Sequence, residues 1–471
     1  MQQAIAVQPV NTSADNLLPK LNALRSFYNS MATRSYAFRK KQLLNLRDAV
    51  LQHEQELYDA LYADLKKSPE ETWVTETGFF LAEINATIKS LKGWMRPESV
   101  GTNLLNLPSS SFIISEPLGV VLIIAPWNYP MQLLFTPLIG AIASGNCVVM
   151  KPSEFAPATS AIMHKIIRQV FPEEYILYVE GDGADVIPAM MNNFIFDHIF
   201  YTGSTAVGKI IYQAASKNLV PVTLELGGKS PCVVESDADI KIAARRIALT
   251  KFSNAGQMCV APDYVLVHAS VKDKLVAELK TWIEKFYSSD PSTSYNYGKI
   301  INKRQFDRLV KYLEQGNILY GGQFNASQLY IAPTLMGDIA SDAPVMSDEI
   351  FGPILPIISF DNKDQALYTI AANKNPLAFY IFTRSSGNEE FWLNNVSFGG
   401  GCVNNASWHL TNHHLPFGGR GFSGTGNYHG RFSFNTFSHK KAVMKTPTWF
   451  DPDVKYPPFK GKLKLFKWVI R

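Results

Sequence analysis

No cysteine framework holds this chain together. Cys147, Cys232, Cys259 and Cys402 show neither close pairing nor Cys-x-x-Cys spacing. That excludes a disulfide-stapled secreted scaffold and a zinc ribbon, and fits free thiols in a reducing cytosol. The histidines lack metal-ligand spacing; His413-His414 reads as a polar loop, and no metal is expected. A net charge of only +5 over 471 residues argues against a nucleic-acid partner. Residues 1–11 lack the basic start and apolar core of a secretory signal, so a cytoplasmic location is expected. The uncharged run 117–150 has the length of a membrane span. Pro126, Pro130 and Pro137 break it into a strand at 119–125, a turn and an apolar helix near 131–143, the pattern of buried α/β layers. With no long polar tract, 46% apolar and 18% charged residues, the chain reads as globular and long enough for about three structural units.

Across residues 34–65, Leu43, Leu46, Val50, Leu57 and Leu61 recur at helical spacing, which predicts one amphipathic helix. Ser68-Pro69-Glu70-Glu71 combines an N-cap, a first-turn proline and a capping-box glutamate. It opens a second helix with Trp73, Phe80, Ile84, Ile88 and Leu91 on one face. Residues 104–117 alternate weakly and read as an arm outside the main sheet, suited to serve another subunit. From Pro117 onward, strands at 120–124, 147–150, 177–179, 198–201 and 222–225 alternate with helices, implying a parallel sheet covered on both faces. Ligands of such sheets bind beyond the carboxyl ends of strands, where Trp127 and Asn128, Lys151 to Glu154, Gly203 and Ser204, and Glu225 fall. A second α/β unit runs from about 239 to 400 and ends in Gly399-Gly400-Gly401, read as a hinge.

Between a helix at 240–252 and a strand at 264–268 stands Asn254-Ala255-Gly256-Gln257-Met258-Cys259, followed by Pro262. A loop of this kind holds a partly exposed sulfur among backbone N–H groups, the setting of a reactive thiolate. Four further motifs accompany it: Pro126-Trp127-Asn128-Tyr129-Pro130, Lys151-Pro152-Ser153-Glu154, Glu225-Leu226-Gly227-Gly228-Lys229-Ser230-Pro231 and Glu349-Ile350-Phe351-Gly352-Pro353. In this order and spacing they resemble the aldehyde dehydrogenase superfamily. Val260-Ala261-Pro262-Asp263-Tyr264, Leu415-Pro416-Phe417-Gly418-Gly419 and Tyr428-His429-Gly430 resemble its class 3 branch, which includes fatty-aldehyde dehydrogenases. The resemblance spans roughly residues 34–445 and implies a Rossmann-like cofactor domain, an α/β catalytic domain and a small bridging β-sheet. The corresponding boundaries are 1–103 with 118–225 for cofactor, 226–412 for catalysis, 104–117 with 413–450 for bridging a homodimer, and 451–471 for a basic amphipathic tail.

The chemistry suits these residues. An aldehyde gives up hydride only after a nucleophile adds to its carbonyl, and Cys259 supplies the nucleophile. Asn128 and the backbone N–H of Cys259 are neutral donors for the resulting oxyanion. Glu225, ending an apolar strand, is the base expected to activate water against the thioester. The fingerprint Gly-x-Gly-x-x-Gly is absent; Gly203-Ser204-Thr205-Ala206-Val207-Gly208 opens a helix instead, where Ser204 caps and free N–H groups suit a pyrophosphate. The resemblance adds Trp127, Ser153, Leu226 and Gly227 to the cofactor site, Lys151 and Glu154 as ribose ligands, Glu349 on the nicotinamide ribose and Phe351 beside the nicotinamide. It places Tyr129, Met258 and Phe417 in the substrate pocket. NAD is expected, with NADP also accepted. Met258 departs from the class 3 pattern, and Arg420 puts a charge near the expected substrate entrance. A CoA-acylating dehydrogenase and a catalytically silent scaffold are the rival readings; the retained Glu225 speaks against the first, and intact Cys259, Asn128 and Glu225 against the second. In the tail, residues 459–471 interleave five basic residues with large apolar ones. The segment is too short to span a bilayer, and is read either as packing across a partner subunit or as lying reversibly on a membrane surface.

Overall fold

The computed structural model describes residues 14–470. Residues 1–13 and Arg471 lie outside the described residues, and with them the reading of residues 1–11 and the last position of the tail. Strands β1 (Glu98–Val100) and β2 (Ser110–Pro117) stand apart from two larger sheets. The first of these is built from β3 (Val120–Ile124), β4 (Cys147–Lys151), β5 (Ile176–Tyr178), β6 (His198–Gly203) and β7 (Val222–Leu226). They run parallel in the order β7-β6-β3-β4-β5. Every residue of β3 and β4 is buried, as expected of β-branched strands covered by helices on both faces. The chain leaves β3 toward β4 and β5, then returns to lay β6 on the other side, so the crevice between β3 and β6 is the topological switch point.

The second sheet takes β8 (Pro231–Val234), β9 (Tyr264–His268) and β10 (Asn317–Tyr320). After a ribbon of β11 (Phe324–Asn325) and β12 (Tyr330–Ile331) come β13 (Thr334–Gly337), β14 (Ile354–Phe360), β15 (Ala378–Phe382) and β16 (Gly400–Val403). Their order is β10-β13-β14-β9-β8-β15-β16, with β10 antiparallel to β13 and the other pairs parallel. A short strand, β17 (Gly424–Thr425), adds antiparallel to β7 with Gly424 opposite Glu225. Finally β18 (Ser438–Lys445) pairs with β2 from Ser438↔Pro117 to Lys445↔Ser110, completing a three-stranded sheet with β1.

Several sequence expectations are corrected. The helix predicted over 34–65 is two helices, Tyr36–Gln52 and Glu54–Leu65, because His53 turns inward. Its ring lies 2.7 Å from both Glu56 Oε1 and Gln169 Oε1, so a tertiary bridge overrides helical continuity. Ser68 caps through the Glu71 N–H at 3.2 Å, but the Glu71 carboxylate does not return to Ser68; it accepts from Asn254 N at 2.7 Å. Trp73 is exposed and opens a π-helical turn, Trp73–Thr77, ahead of the long helix Gly78–Trp94. The apolar helix expected near 131–143 is present as the fully buried Pro130–Ser144, with Pro137 inside it. The glycine run at 399–401 is no hinge: Gly400 and Gly401 begin the edge strand β16, paired with Ala378 and Phe379.

One buried acid makes the fold pH-sensitive. Glu83, on Gly78–Trp94, accepts from Gly430 N, and burial pushes its carboxyl up to about 7 from 4.5. Between these values the folded state binds the proton that an unfolded chain has released, so the contribution of Glu83 to stability is fully present below 4.5 and is lost as pH rises through 7. Glu83→Gln keeps an acceptor for Gly430 and removes the ionisable group. Its apparent Tm should exceed that of the parent near pH 8, a gap worth about 3 kcal/mol, and match it near pH 4. Equal Tm values at both pH values in thermal melts would refute this role for Glu83.

Candidate active site

The carboxyl ends of β3, β6 and β7 face the amino ends of β8, β9 and β14, and β7 passes into β8 through Gly227-Gly228. A cavity of about 260 Å³ lies between them. Trp127 and Asn128 enter it from the turn after β3, Gly203 and Ser204 from the end of β6, and Glu225, Leu226 and Gly227 from β7; Cys259, Glu349 and Phe351 close the opposite side. Trp127 meets Phe351 edge-on, centroids 5.4 Å apart. A Cβ on Gly227 would fall 1.9 Å from Glu349 Oε2, so only glycine lets that carboxyl sit against the end of β7. A second cavity, about 190 Å³, is mostly apolar and includes Tyr129, Met258 and Phe417. Cys259 lies in the wall of both.

The loop that presents Cys259 is fixed by its own sequence. After helix Ile240–Phe252, Asn254, Ala255 and Gly256 are left-handed, with φ of 50°, 51° and 74°. A Cβ on Gly256 would lie 2.2 Å from Gly352 O, so the loop is pressed against the Glu349–Pro353 segment. Gln257 anchors it: its amide donates to Asn254 O and Lys299 O and accepts from Ile301 N, each at 3.0 Å. Downstream, Tyr380 donates to Val260 O. Asn128 gives one amide N–H to Gln257 O at 3.1 Å and keeps the other.

Burial dominates the electrostatics. Desolvation pushes the Cys259 thiol up to about 12, with Glu349 and Glu225 adding to the rise. It likewise raises Glu349 to about 8 and Glu225 well above the usual carboxylate range. Each shift has the same cause: the enclosure disfavours charge on Cys259, Glu349 and Glu225 alike. Nearby cations do not reverse this. Lys229 is consumed by Asp263, at 2.6 Å, and by two backbone carbonyls, while buried Lys251 is itself lowered to about 8. Both Glu225 oxygens, Glu349 Oε1 and Asn128 Oδ1 are buried without hydrogen-bond partners, acceptors facing a site that demands polar company.

Not every predicted residue meets in these cavities. Lys151, Ser153 and Glu154 lie beyond the first cavity's wall, with the Lys151 ammonium already given to Pro152 O at 2.5 Å and Glu154 Oε2 at 3.1 Å. Ser204 caps helix Thr205–Ser216 by accepting from Val207 N. Gly208 serves packing, since a Cβ there would meet Leu226 Cδ2 at 2.6 Å. Arg420 is exposed and lines neither cavity. Sequence reasoning missed Arg308, which borders the first cavity and donates to Glu349 O and Ile350 O at 3.3 and 2.7 Å. It also missed Phe79, Trp408, Leu410 and Tyr428 in the second. Among the described residues no group of three or more His, Cys, Asp or Glu is placed to hold a metal.

The family model described as "Aldehyde dehydrogenase family" matches residues 7–443. The 4,4'-diaponeurosporen-aldehyde dehydrogenase of Staphylococcus aureus is 45% identical over 445 residues, covering 94% of this chain and 96% of that protein. Aldehyde dehydrogenase family 3 member H1 of Arabidopsis thaliana is 44% identical, covering 98% and 95%. The structure described as the substrate-bound state of Staphylococcus aureus AldH superposes with a TM-score of 0.94 at 44% identity over 97% of this chain and 99% of that one. With its two sheets, its paired cavities and these relatives, the chain belongs to the aldehyde dehydrogenase family, resembles its class 3 branch, and is an enzyme that oxidises aldehydes.

Proposed function

We propose that this enzyme oxidises apolar aldehydes to carboxylic acids with NAD, through a thiohemiacetal and then a thioester on Cys259. The observation that carries this reading is the position of Cys259 in the common wall of two cavities, one bordered by Asn128, Glu225, Arg308 and Glu349 and the other mostly apolar. The apolar cavity suits an aliphatic or aromatic chain, and the aldehyde named for the Staphylococcus aureus relative agrees with a long one. For the cofactor, the unpartnered Glu349 Oε1 beside Gly227 fits a ribose hydroxyl, and the Trp127–Phe351 pair fits an aromatic ring. The first turn of helix Thr205–Ser216 fits a pyrophosphate, and Lys151 with Glu154 a second ribose. When bound, NAD would supply the hydride acceptor.

The chain's own part follows from its geometry. In the fraction of enzyme in which Glu225 is a carboxylate, Cys259 passes it the thiol proton, which Glu225 releases to solvent, and the sulfur bonds to the carbonyl carbon. The carbonyl oxygen gains the negative charge opposite the free N–H of Asn128 and the backbone N–H of Cys259. Departure of hydride leaves the thioester. Glu225 then takes a proton from water as the water oxygen bonds to the acyl carbon, and the C–S bond breaks to return Cys259. Because burial raises Glu225, this step accelerates with rising pH. Water is favoured over CoA as acyl acceptor by the presence of Glu225 in the cavity. Residues 1–103 with 118–225 form the NAD(P)-binding domain and 226–412 the catalytic domain on this reading. The sheet β1-β2-β18, apart from both, serves a C2 dimer.

The tail is proposed to rest on an anionic membrane surface. Helix Leu463–Val469 and its flanks expose Phe459, Leu463, Leu465, Trp468 and Ile470 among Lys460, Lys464 and Lys467. No helix among the described residues is long and apolar enough to cross a membrane.

Three outcomes test this reading. Followed by NAD(P)H absorbance with and without CoA, Cys259→Ala should be silent, and Glu225→Gln should give one burst per subunit and then stall; steady turnover by Glu225→Gln at the parent rate would eliminate it as the base. Glu154 should accept two ribose hydroxyls and repel a 2′-phosphate, giving a higher kcat/KM for NAD; a clear NADP preference would show that Glu154 is misassigned. Deleting residues 459–471 should abolish sedimentation with anionic liposomes while short soluble aldehydes still turn over. Full-length protein that ignores such liposomes at low salt would reject membrane contact.

A further inference from the structure

Lys67 and Glu76 are both fully buried and form an ion pair at 2.6 Å in the helical layer beneath the first cavity. A buried pair is a poor source of stability, since desolvation cancels most of its attraction. What these two charges hold is more specific. The ammonium of Lys67 donates to Asn128 O at 2.9 Å and lies 3.8 Å from the centre of the Tyr129 ring. Glu76 Oε2 accepts from Met131 N at 2.9 Å and Gln132 N at 3.2 Å, taking the place of a side-chain cap on helix Pro130–Ser144. From the other side, Asn254 Nδ2 donates to the same Asn128 carbonyl at 2.8 Å, while Asn254 N is held by Glu71. Both lone pairs of that carbonyl are thus occupied, one by the helical layer and one by the loop carrying Cys259.

We infer that Lys67 is a positioning residue: with Asn254 it clamps the backbone of Asn128, so that the free amide N–H faces the oxygen of a substrate bonded to Cys259. The inference rests on the proposed role of Asn128 as oxyanion donor. Oxyanion donors act only when fixed where charge develops, and the Asn128 side chain has one hydrogen bond of its own, to Gln257 O. Its placement therefore depends on its backbone. Removing Lys67 frees one of the two lone pairs of that carbonyl and loosens the turn between Pro126 and Pro130, while Lys67 itself lines neither cavity.

The test is a double-mutant cycle on the full-length enzyme, read as the single-turnover rate of NADH formation with an apolar aldehyde, beside the Kd for NAD. Asn128→Ala should slow the step on the order of 100-fold. Lys67→Met leaves Glu76 as an unpaired buried carboxylate, so the charge-neutral variant Lys67→Met/Glu76→Gln is made in parallel. It should slow the step about 10-fold or more with NAD affinity unchanged, and cost less than about 2-fold when introduced into Asn128→Ala, because its effect runs through Asn128. Should neither Lys67 variant fold, Asn254→Gly, which keeps the left-handed backbone and deletes the other donor, enters the same cycle. Equal losses with and without Asn128, or no loss in the parent, would overturn the inference and leave the proposed mechanism standing. An Asn128→Ala enzyme at the parent rate would remove both.

Discussion

The site depends on desolvation. Cys259, Glu225 and Glu349 share one enclosure, and the burial that raises all three also leaves the Glu225 oxygens and one of Glu349 without partners. The surrounding structure keeps that enclosure free of competing charge. Lys229 is turned away into Asp263, and Lys67 into Glu76, so that no ammonium among these reaches the thiol. In that enclosure charge on the sulfur is disfavoured. The same enclosure keeps the Glu225 oxygens and one Glu349 oxygen without protein partners.

Two sheets meeting end to end make this possible. The first contributes carboxyl ends of strands, where backbone groups and glycines tolerate a large ligand; the second contributes amino ends, where the loops before β9 and β14 bring Cys259 and Glu349. Only four residues, Gly227-Gly228-Lys229-Ser230, separate β7 from β8, so Glu225 and the second sheet are linked by a short tether. The apolar cavity lies on the far side of Cys259 and draws residues from the helical layer, the Cys259 loop and the segment before β18.

Much of this was legible in the residues. The β-branched run at β3, the cap at Ser68 and the loop around Cys259 are local patterns, and local sequence suffices to write them. So was the gathering of Asn128, Glu225 and Cys259, because each ends or begins an element at a place where such sheets bind ligands. Illegible were features set by distant partners. His53 breaks a helix for Gln169, over a hundred residues away, and Glu71 abandons its capping box for Asn254. Arg308 stands on a strongly charged helix, Lys303–Tyr312, where nothing in the spacing distinguishes a cavity residue from a solvated one. The upward shift of the Cys259 thiol follows from surrounding volume, which no motif encodes.

The short strand β17 gives the apolar cavity a ruler. Gly424 is in register with Glu225, and Leu226 N donates to Ser423 O at 3.0 Å, so the chain between Phe417 and Tyr428 is stitched to the strand that carries the proposed base. Phe417 and Tyr428 are themselves bridged across the loop and both face the cavity. The proposed substrate wall and the strand that carries the proposed base are therefore joined through β17 and the Gly421–Gly424 bridge. Divergence in chain-length preference is free to alter side chains along this wall but not its length, because one inserted residue would slip the ladder and carry the gauge out of phase with the carboxyl group it serves.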